Sequence, residues 1–189
     1  MTMNDDLEKC LDVLRSGGII LYPTDTIWGL GCDATNKTAV DKIYQIKQRF
    51  DNRKMLVLVN SDAMIERYVD DVPEIAYQLI ECAERPLTII YEQAKNLAEN
   101  LLGDNRSIGI RVSRETFTQK LIERFRKPIV STSANIHNQP SPANFMQISD
   151  EIKNGVDYIV SYRQDDTTEH RPSSLMLLKP SGEFKILRQ

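Results

Sequence analysis

The chain has 189 residues, a net charge of −3, 41% hydrophobic and 27% charged residues. That length suits one domain with a sizeable core, taken here as residues 1–189. The charge balance excludes a protein coated in positive charge for nucleic acid, and no apolar run nears the roughly 20 residues that cross a bilayer. The acidic start Met1-Thr2-Met3-Asn4-Asp5-Asp6 lacks the basic-then-apolar order of a signal peptide, so no membrane role and a cytoplasmic home are expected.

In chain order, Leu7, Leu11 and Leu14 recur at helical spacing, and Gly17-Gly18 supplies the stop. Ile19–Tyr22 reads as a short buried strand and Pro23–Gly31 as a loop rich in hydroxyls and glycines. Val40, Ile43, Tyr44 and Lys47 share one face of a helix running to about Arg49. Met55–Val59, Leu87–Tyr91, Ser107–Val112 and Pro128–Val130 are strand patterns, and helices are expected over Ala63–Arg67, Pro73–Cys82 and Thr116–Phe125. A helix near Asn144–Lys153 and a strand at Tyr158–Val160 follow. Gln164–Arg171, polar throughout, is the expected mobile loop. Leu175–Leu178 and Phe184–Leu187 flank Pro180-Ser181-Gly182 as a hairpin. Alternating strands and helices give an α/β domain, and the hairpin demands antiparallel pairing, so the sheet should be mixed.

Cys10, Cys32 and Cys82 are odd in number and far apart, which supports neither a disulfide framework nor a CxxC site. Cys10 sits on the apolar stripe of the first helix, and Cys32 adjoins the densest motif, as core filler or as part of a site. His137 and His170 offer no second ligand at zinc spacing, and no metal-binding carboxylates show a recognisable spacing. Lys42, Lys47, Arg49, Arg53 and Lys54 form one basic stretch, and Arg124, Arg126 and Lys127 another.

Three segments carry candidate chemistry. Hydroxyls and free N–H groups at the end of the first strand suit a polar ligand, or simply cap a turn. Lys47-Gln48-Arg49 stands at a helix end, where cations clamp phosphate oxygens or complement the helix dipole. Ser131-Thr132-Ser133-Ala134-Asn135 follows a buried strand, placed to cap a helix or hold a ligand at the strand's carboxyl end. Neither GxGxxG nor GxxxxGK[ST] is present, which removes the common dinucleotide and P-loop readings. The residues alone point to an anion or nucleotide site in an α/β domain.

In combination these segments resemble the YrdC-like family of threonylcarbamoyl-AMP synthases. Gly18-Ile19-Ile20-Leu21-Tyr22-Pro23-Thr24-Asp25-Thr26-Ile27-Trp28-Gly29-Leu30-Gly31 looks like its signature, Lys47-Gln48-Arg49 its KxR motif and Ser133-Ala134-Asn135 its SxN motif. Arg85-Pro86-Leu87-Thr88 and Gly109-Ile110-Arg111-Val112 are similar to two further segments, in the family's order. The resemblance implies an open, twisted, mixed α/β sheet, the YrdC-like (RibB-like) fold, around a wide, positively charged cavity. It implies the synthesis of threonylcarbamoyl-AMP and pyrophosphate from L-threonine, bicarbonate and ATP for tRNA modification, with Mg2+ accompanying the ATP and no permanently bound cofactor or protein-held metal. Partners would be a downstream tRNA threonylcarbamoyl transferase and tRNA or double-stranded RNA.

By the same resemblance Thr26, Arg111, Ser131 and Ser173 would hold threonine. Lys47, Arg49, Ser107, Ser133, Asn135, Ser141 and Arg188 would hold ATP, with Lys47 and Arg49 catalytic and both facing a solvated cavity. The chain departs from the family pattern at Leu58, where a histidine is usual, at Arg53-Lys54 for Asn-Pro, at Arg85 with its single proline, and at His137-Asn138 for Ser-Gly. Ser173-Ser174-Leu175 stands for Ser-Thr-Val, and the extra C-terminal domain of larger members is absent from this sequence. The competing reading is a YciO-like relative that binds nucleotide or double-stranded RNA without synthase activity.

Overall fold

The computed structural model describes residues 2–48 and 55–189. Helix α1 (Met3–Arg15) opens on a capping box. The Thr2 hydroxyl accepts the Asp5 amide at 3.2 Å and the Asp5 carboxylate accepts the Thr2 amide at 2.8 Å, so two of the helix's orphan donors are satisfied. Leu7, Leu11 and Leu14 are buried as their spacing predicts, and Gly17 ends the helix at φ 74°, a backbone angle that suits glycine.

The strands are β1 (Ile20–Tyr22), β2 (Gly29–Gly31), β3 (Leu56–Val59), β4 (Leu87–Tyr91), β5 (Ile108–Val112), β6 (Ile129–Ser133), β7 (Tyr158–Ile159), β8 (Ser174–Leu178) and β9 (Phe184–Arg188). The remaining helices are α2 (Lys37–Ile46), α3 (Ile75–Cys82), α4 (Thr116–Phe125) and α5 (Asp150–Asn154). The strands form one sheet in the order β7-β1-β2-β6-β3-β5-β4-β8-β9. Pairs β1/β7, β3/β5 and β4/β8 are parallel and the others antiparallel. The sheet is therefore mixed and open, running from β7 to β9.

Register sorts the side chains. Leu56 lies opposite Gly109 and Ser131, Thr88 opposite Arg111 and Leu175, and Ile90 opposite Gly109. Cross-strand partners share a face, so these residues line one surface, whereas Val57, Ile89, Ile110 and Val130 occupy the other and are buried. Each fully buried Val or Ile of this kind contributes about 1.5–3 kcal/mol.

Three expectations change. The segment expected to be loop to Gly31 contains strand β2, because its glycines are packing devices and not turn signals. A Cβ on Gly31 would meet the Tyr22 ring at 2.6 Å, and one on Gly29 would meet the Ser131 hydroxyl at 3.2 Å. The helix expected over 144–153 is a 3-10 turn at Phe145–Gln147 followed by α5, whose N-cap Ser149 restarts the chain. The stretch 63–67 likewise holds only a 3-10 turn, Ile65–Arg67.

One carboxylate ties the first helix to the far edge of the sheet. Asp6 is fully buried, accepting from the Tyr158 hydroxyl at 2.6 Å and from the Ser161 and Tyr162 amides, each at 2.9 Å. Asp6→Ala would strand these donors, and we expect it to cost about 2 kcal/mol, or roughly 4–8 °C in Tm. Thermal melts test this, and an unchanged Tm would remove the role.

Candidate functional site

A cleft of about 190 Å3 opens on the face that carries Leu56 and Arg111. Thr26, Trp28, Gly29, Arg111, Ser131, Ser133, Ser141, Pro172, Ser173 and Arg188 contribute to its walls. A second cavity of about 720 Å3 shares Met55, Leu56 and Arg188 with it and adds Ser107, Asp104 and Thr88. Residues from four of the expected segments therefore converge on one wide concavity.

The β1–β2 turn is wound around Thr24. Its hydroxyl donates to the Ile27 carbonyl at 2.8 Å, accepts from the Thr26 amide at 3.0 Å and lies 3.0 Å from the Thr26 hydroxyl. The Thr26 hydroxyl in turn accepts from an Arg111 Nη2 at 3.2 Å. Arg111 is 3% exposed, and the same nitrogen lies 3.1 Å from the Asp25 carboxylate. Burial lowers the Arg111 pKa from its ordinary value and Asp25 opposes that shift. The Arg111 Nε is buried without a hydrogen-bond partner. A guanidinium that lines a cleft with one donor unspent has the chemistry to receive a carboxylate.

Ser173, 2% exposed, is set by a 2.7 Å contact between its hydroxyl and that of Thr88. Its carbonyl accepts from Arg188 Nε at 2.9 Å. Arg188 reaches this face because β9 is irregular. Met176 pairs with Ile186 but Leu175 with Arg188, leaving Leu187 as the extra residue. A regular ladder would place Leu187 opposite Leu175, so the bulge substitutes a cation for an apolar side chain at the cavity.

Lys47 is placed differently from its expected position. It is 2% exposed and does not line the cleft. Its ammonium donates to the Ser133 carbonyl at 2.5 Å and the Asn135 carbonyl at 2.7 Å, while its own carbonyl accepts from the His137 amide at 2.8 Å. It grips the SxN turn from behind, where a buried ammonium exchanges hydration for fixed carbonyls. The helix does end at Ile46, but the side chain turns inward to carbonyls of another segment. Asn135 donates to the Ile136 and Gln139 carbonyls. Asn138, where the family pattern has glycine, takes a left-handed backbone at φ 65°, which Asn tolerates. Arg49, Arg53 and Lys54 lie outside the described residues.

Leu58, opposite Arg111 in the β3–β5 register, is fully buried beside it and lines neither cavity. Cys32 is buried and lines neither cavity, so it is core, and burial pushes its thiol pKa up. The basic cluster at 124–127 is partly consumed in the fold, with Arg124 on Glu8 at 2.8 Å and Lys127 on Asp33 at 2.7 Å. Among the described residues no group of three or more His, Cys, Asp or Glu is placed to hold a metal, and no helix is long and apolar enough to cross a membrane. Sequence reasoning passed over Asp25, although it sits between two residues of the signature, since nothing in its spacing signals a buried ion pair with Arg111.

Relatives bear on this arrangement. The chain is 30% identical over 192 residues to a protein named threonylcarbamoyl-AMP synthase from Vibrio cholerae serotype O1, covering 100% of both. A protein of the same name from Psychromonas ingrahamii is 32% identical over 151 residues, 78% of this chain and 79% of its own. Among solved structures, P. abyssi Sua5 complexed with L-threonine superposes with a TM-score of 0.81 at 25% identity, over 91% of this chain. The match spans only 50% of that longer Sua5 chain. E. coli YciO superposes at 0.84 with 24% identity, over 100% of this chain and 90% of its own, a likeness of fold. The family model described as Sua5/YciO/YrdC, Telomere recombination, matches residues 12–189. With the family's sheet, its motifs in order and that match, the chain belongs to the Sua5/YciO/YrdC family.

Proposed function

We propose that this chain is a threonylcarbamoyl-AMP synthase, a nucleotidyltransferase that joins L-threonine, bicarbonate and ATP. The observation that carries the reading is the buried Arg111 guanidinium, its Nη2 on the Thr26 hydroxyl and its Nε unpartnered, in a cleft that shares Met55, Leu56 and Arg188 with a larger cavity. The full-length likeness to the Vibrio cholerae synthase supports it.

Arg111 receives the amino-acid carboxylate, and the hydroxyls of Thr26, Ser131 and Ser173 receive its polar end. Bicarbonate supplies CO2, the neutral threonine amine bonds to it as a carbamate, and the proton lost from nitrogen leaves with bicarbonate's hydroxide as water. A carbamate oxygen then bonds to the α-phosphorus of ATP as the bond to the β-phosphate oxygen breaks, and pyrophosphate leaves with the electron pair. Negative charge grows on the phosphate oxygens during this step, so donors fixed in advance stabilise it most. Arg188, Ser133, Ser141 and the Lys47-held turn at Asn135 supply them, Ser107 lies in the adjoining cavity for the nucleoside, and Arg49 completes the KxR pair. Mg2+ enters with the ATP as part of the substrate. The product passes in the cytoplasm to a transferase that modifies tRNA.

Pyrophosphate release from ATP should require threonine and bicarbonate together. Equal release with either withheld would refute the synthase reading and leave a nucleotide-binding member of the family without this activity.

A further inference from the structure

The segment 161–173, which contains the Gln164–Arg171 stretch expected to be mobile, is held at its two ends. Buried Asp6 holds the Ser161 and Tyr162 amides, and the Tyr162 ring stacks on Phe117 with centroids 5.9 Å apart. At the far end Pro172 and Ser173 line the cleft. Between them Arg163, at φ 65°, turns its side chain back over the β1–β2 turn. One Nη donates to the Thr24 carbonyl at 3.2 Å. Its Nε and other Nη clasp Asp166 at 3.1 and 2.7 Å, and His170 Nε2 lies 3.0 Å from the latter. The Arg163 bonds, with those of Thr168, hold the Asp166 carboxyl below the usual carboxylate range, so the clasp stays ionic at neutral pH.

We propose that Arg163 is a positioning residue for the amino-acid pocket, holding the Thr24-Asp25-Thr26 turn and through it the Arg111 guanidinium. The contacts are contiguous. Arg163 fixes the Thr24 carbonyl, the Thr24 hydroxyl meets the Thr26 amide and hydroxyl, and the Thr26 hydroxyl takes Arg111 Nη2. From below, the Thr118 hydroxyl donates to the neighbouring Pro23 carbonyl at 3.2 Å, so the turn is held on two sides by side chains remote in sequence. Arg suits the upper position because its planar fork serves a carbonyl and a carboxylate at once, which a lysine point charge does not. Arg163 itself does not line the cleft; it acts through the turn.

The inference rests on the threonine reading of the site, and the experiment separates the two. Amide hydrogen exchange at Thr26 and threonine-dependent pyrophosphate release are measured for the wild type, Arg163→Ala, Arg163→Lys and Asp166→Asn. Arg163→Ala should speed Thr26 exchange and raise the threonine KM, each about tenfold, with kcat and the ATP KM within about twofold. Arg163→Lys should recover part of both losses. Asp166→Asn, which keeps the reach to Thr24 but loosens the clasp, should move both in the same direction by less, and it serves if the alanine variant fails to fold. Unchanged Thr26 exchange in these variants, or equal losses for threonine and ATP, overturns the inference. A wild type without threonine-dependent release would sink the synthase reading, while the exchange data still decide whether Arg163 holds the turn.

Discussion

Lys47→Met should lower Tm by roughly 4–8 °C and slow threonine-dependent pyrophosphate release about a hundredfold. Both effects follow from one position. The ammonium is 2% exposed and satisfies the Ser133 and Asn135 carbonyls. Methionine matches its length but donates nothing, so the Asn135 carbonyl loses the ammonium while the Ser133 carbonyl keeps the Asn135 amide at 2.9 Å, a cost of about 2 kcal/mol, which in a domain of this size gives the stated shift in Tm. The turn carrying Ser133 then relaxes, and an ångström of misplacement at a reacting phosphate is worth about two decades in rate. Calorimetric melts and release assays on the same preparation check the pair. Lost activity with an unchanged Tm would mean that Lys47 reaches into the cleft and clamps phosphate directly, as the KxR resemblance alone implied.

The legible features were those whose physics is local. The leucine spacing of α1, the apolar runs of β3 to β6 and the Pro180-Ser181-Gly182 hairpin all declare themselves in a few neighbouring residues, and each stands in the structure. The hydroxyl-rich turn and the Ser131–Asn135 run stood out by their residues alone, whereas Arg111 and Ser173 could be named because the chain resembles a family. What escaped depends on partners distant in the chain. Strand β2 is hidden because Gly29 and Gly31 serve the Ser131 and Tyr22 side chains and suppress the strand pattern. Lys47 looked like a free cation because its acceptors lie some ninety residues later, at Ser133 and Asn135. The anchoring of the approach to Gln164–Arg171 was hidden because its carboxylate, Asp6, belongs to the first helix.

Arg111→Ala should weaken threonine about a hundredfold and ATP no more than a few-fold, since a charge-assisted pair with a carboxylate contributes on the order of 1.5–3 kcal/mol. Titration calorimetry with each ligand alone reads the two affinities, and a larger loss for ATP would move Arg111 to the phosphates. Asp25 makes the sharper test, because it already lies 3.1 Å from the guanidinium proposed to receive the threonine carboxylate. In the empty site its carboxylate balances a buried positive charge. In the filled site it repels the incoming carboxylate. Asp25→Asn keeps the shape and removes the charge, so the empty variant should melt lower, with an unbalanced Arg111 in a site where burial already disfavours its charge. Threonine then becomes the sole counter-charge, and its addition should raise the variant's Tm by more than it raises that of the wild type. A threonine-induced shift that instead vanishes, as in Arg111→Ala, would show that Asp25 aims the guanidinium and does not compete for it.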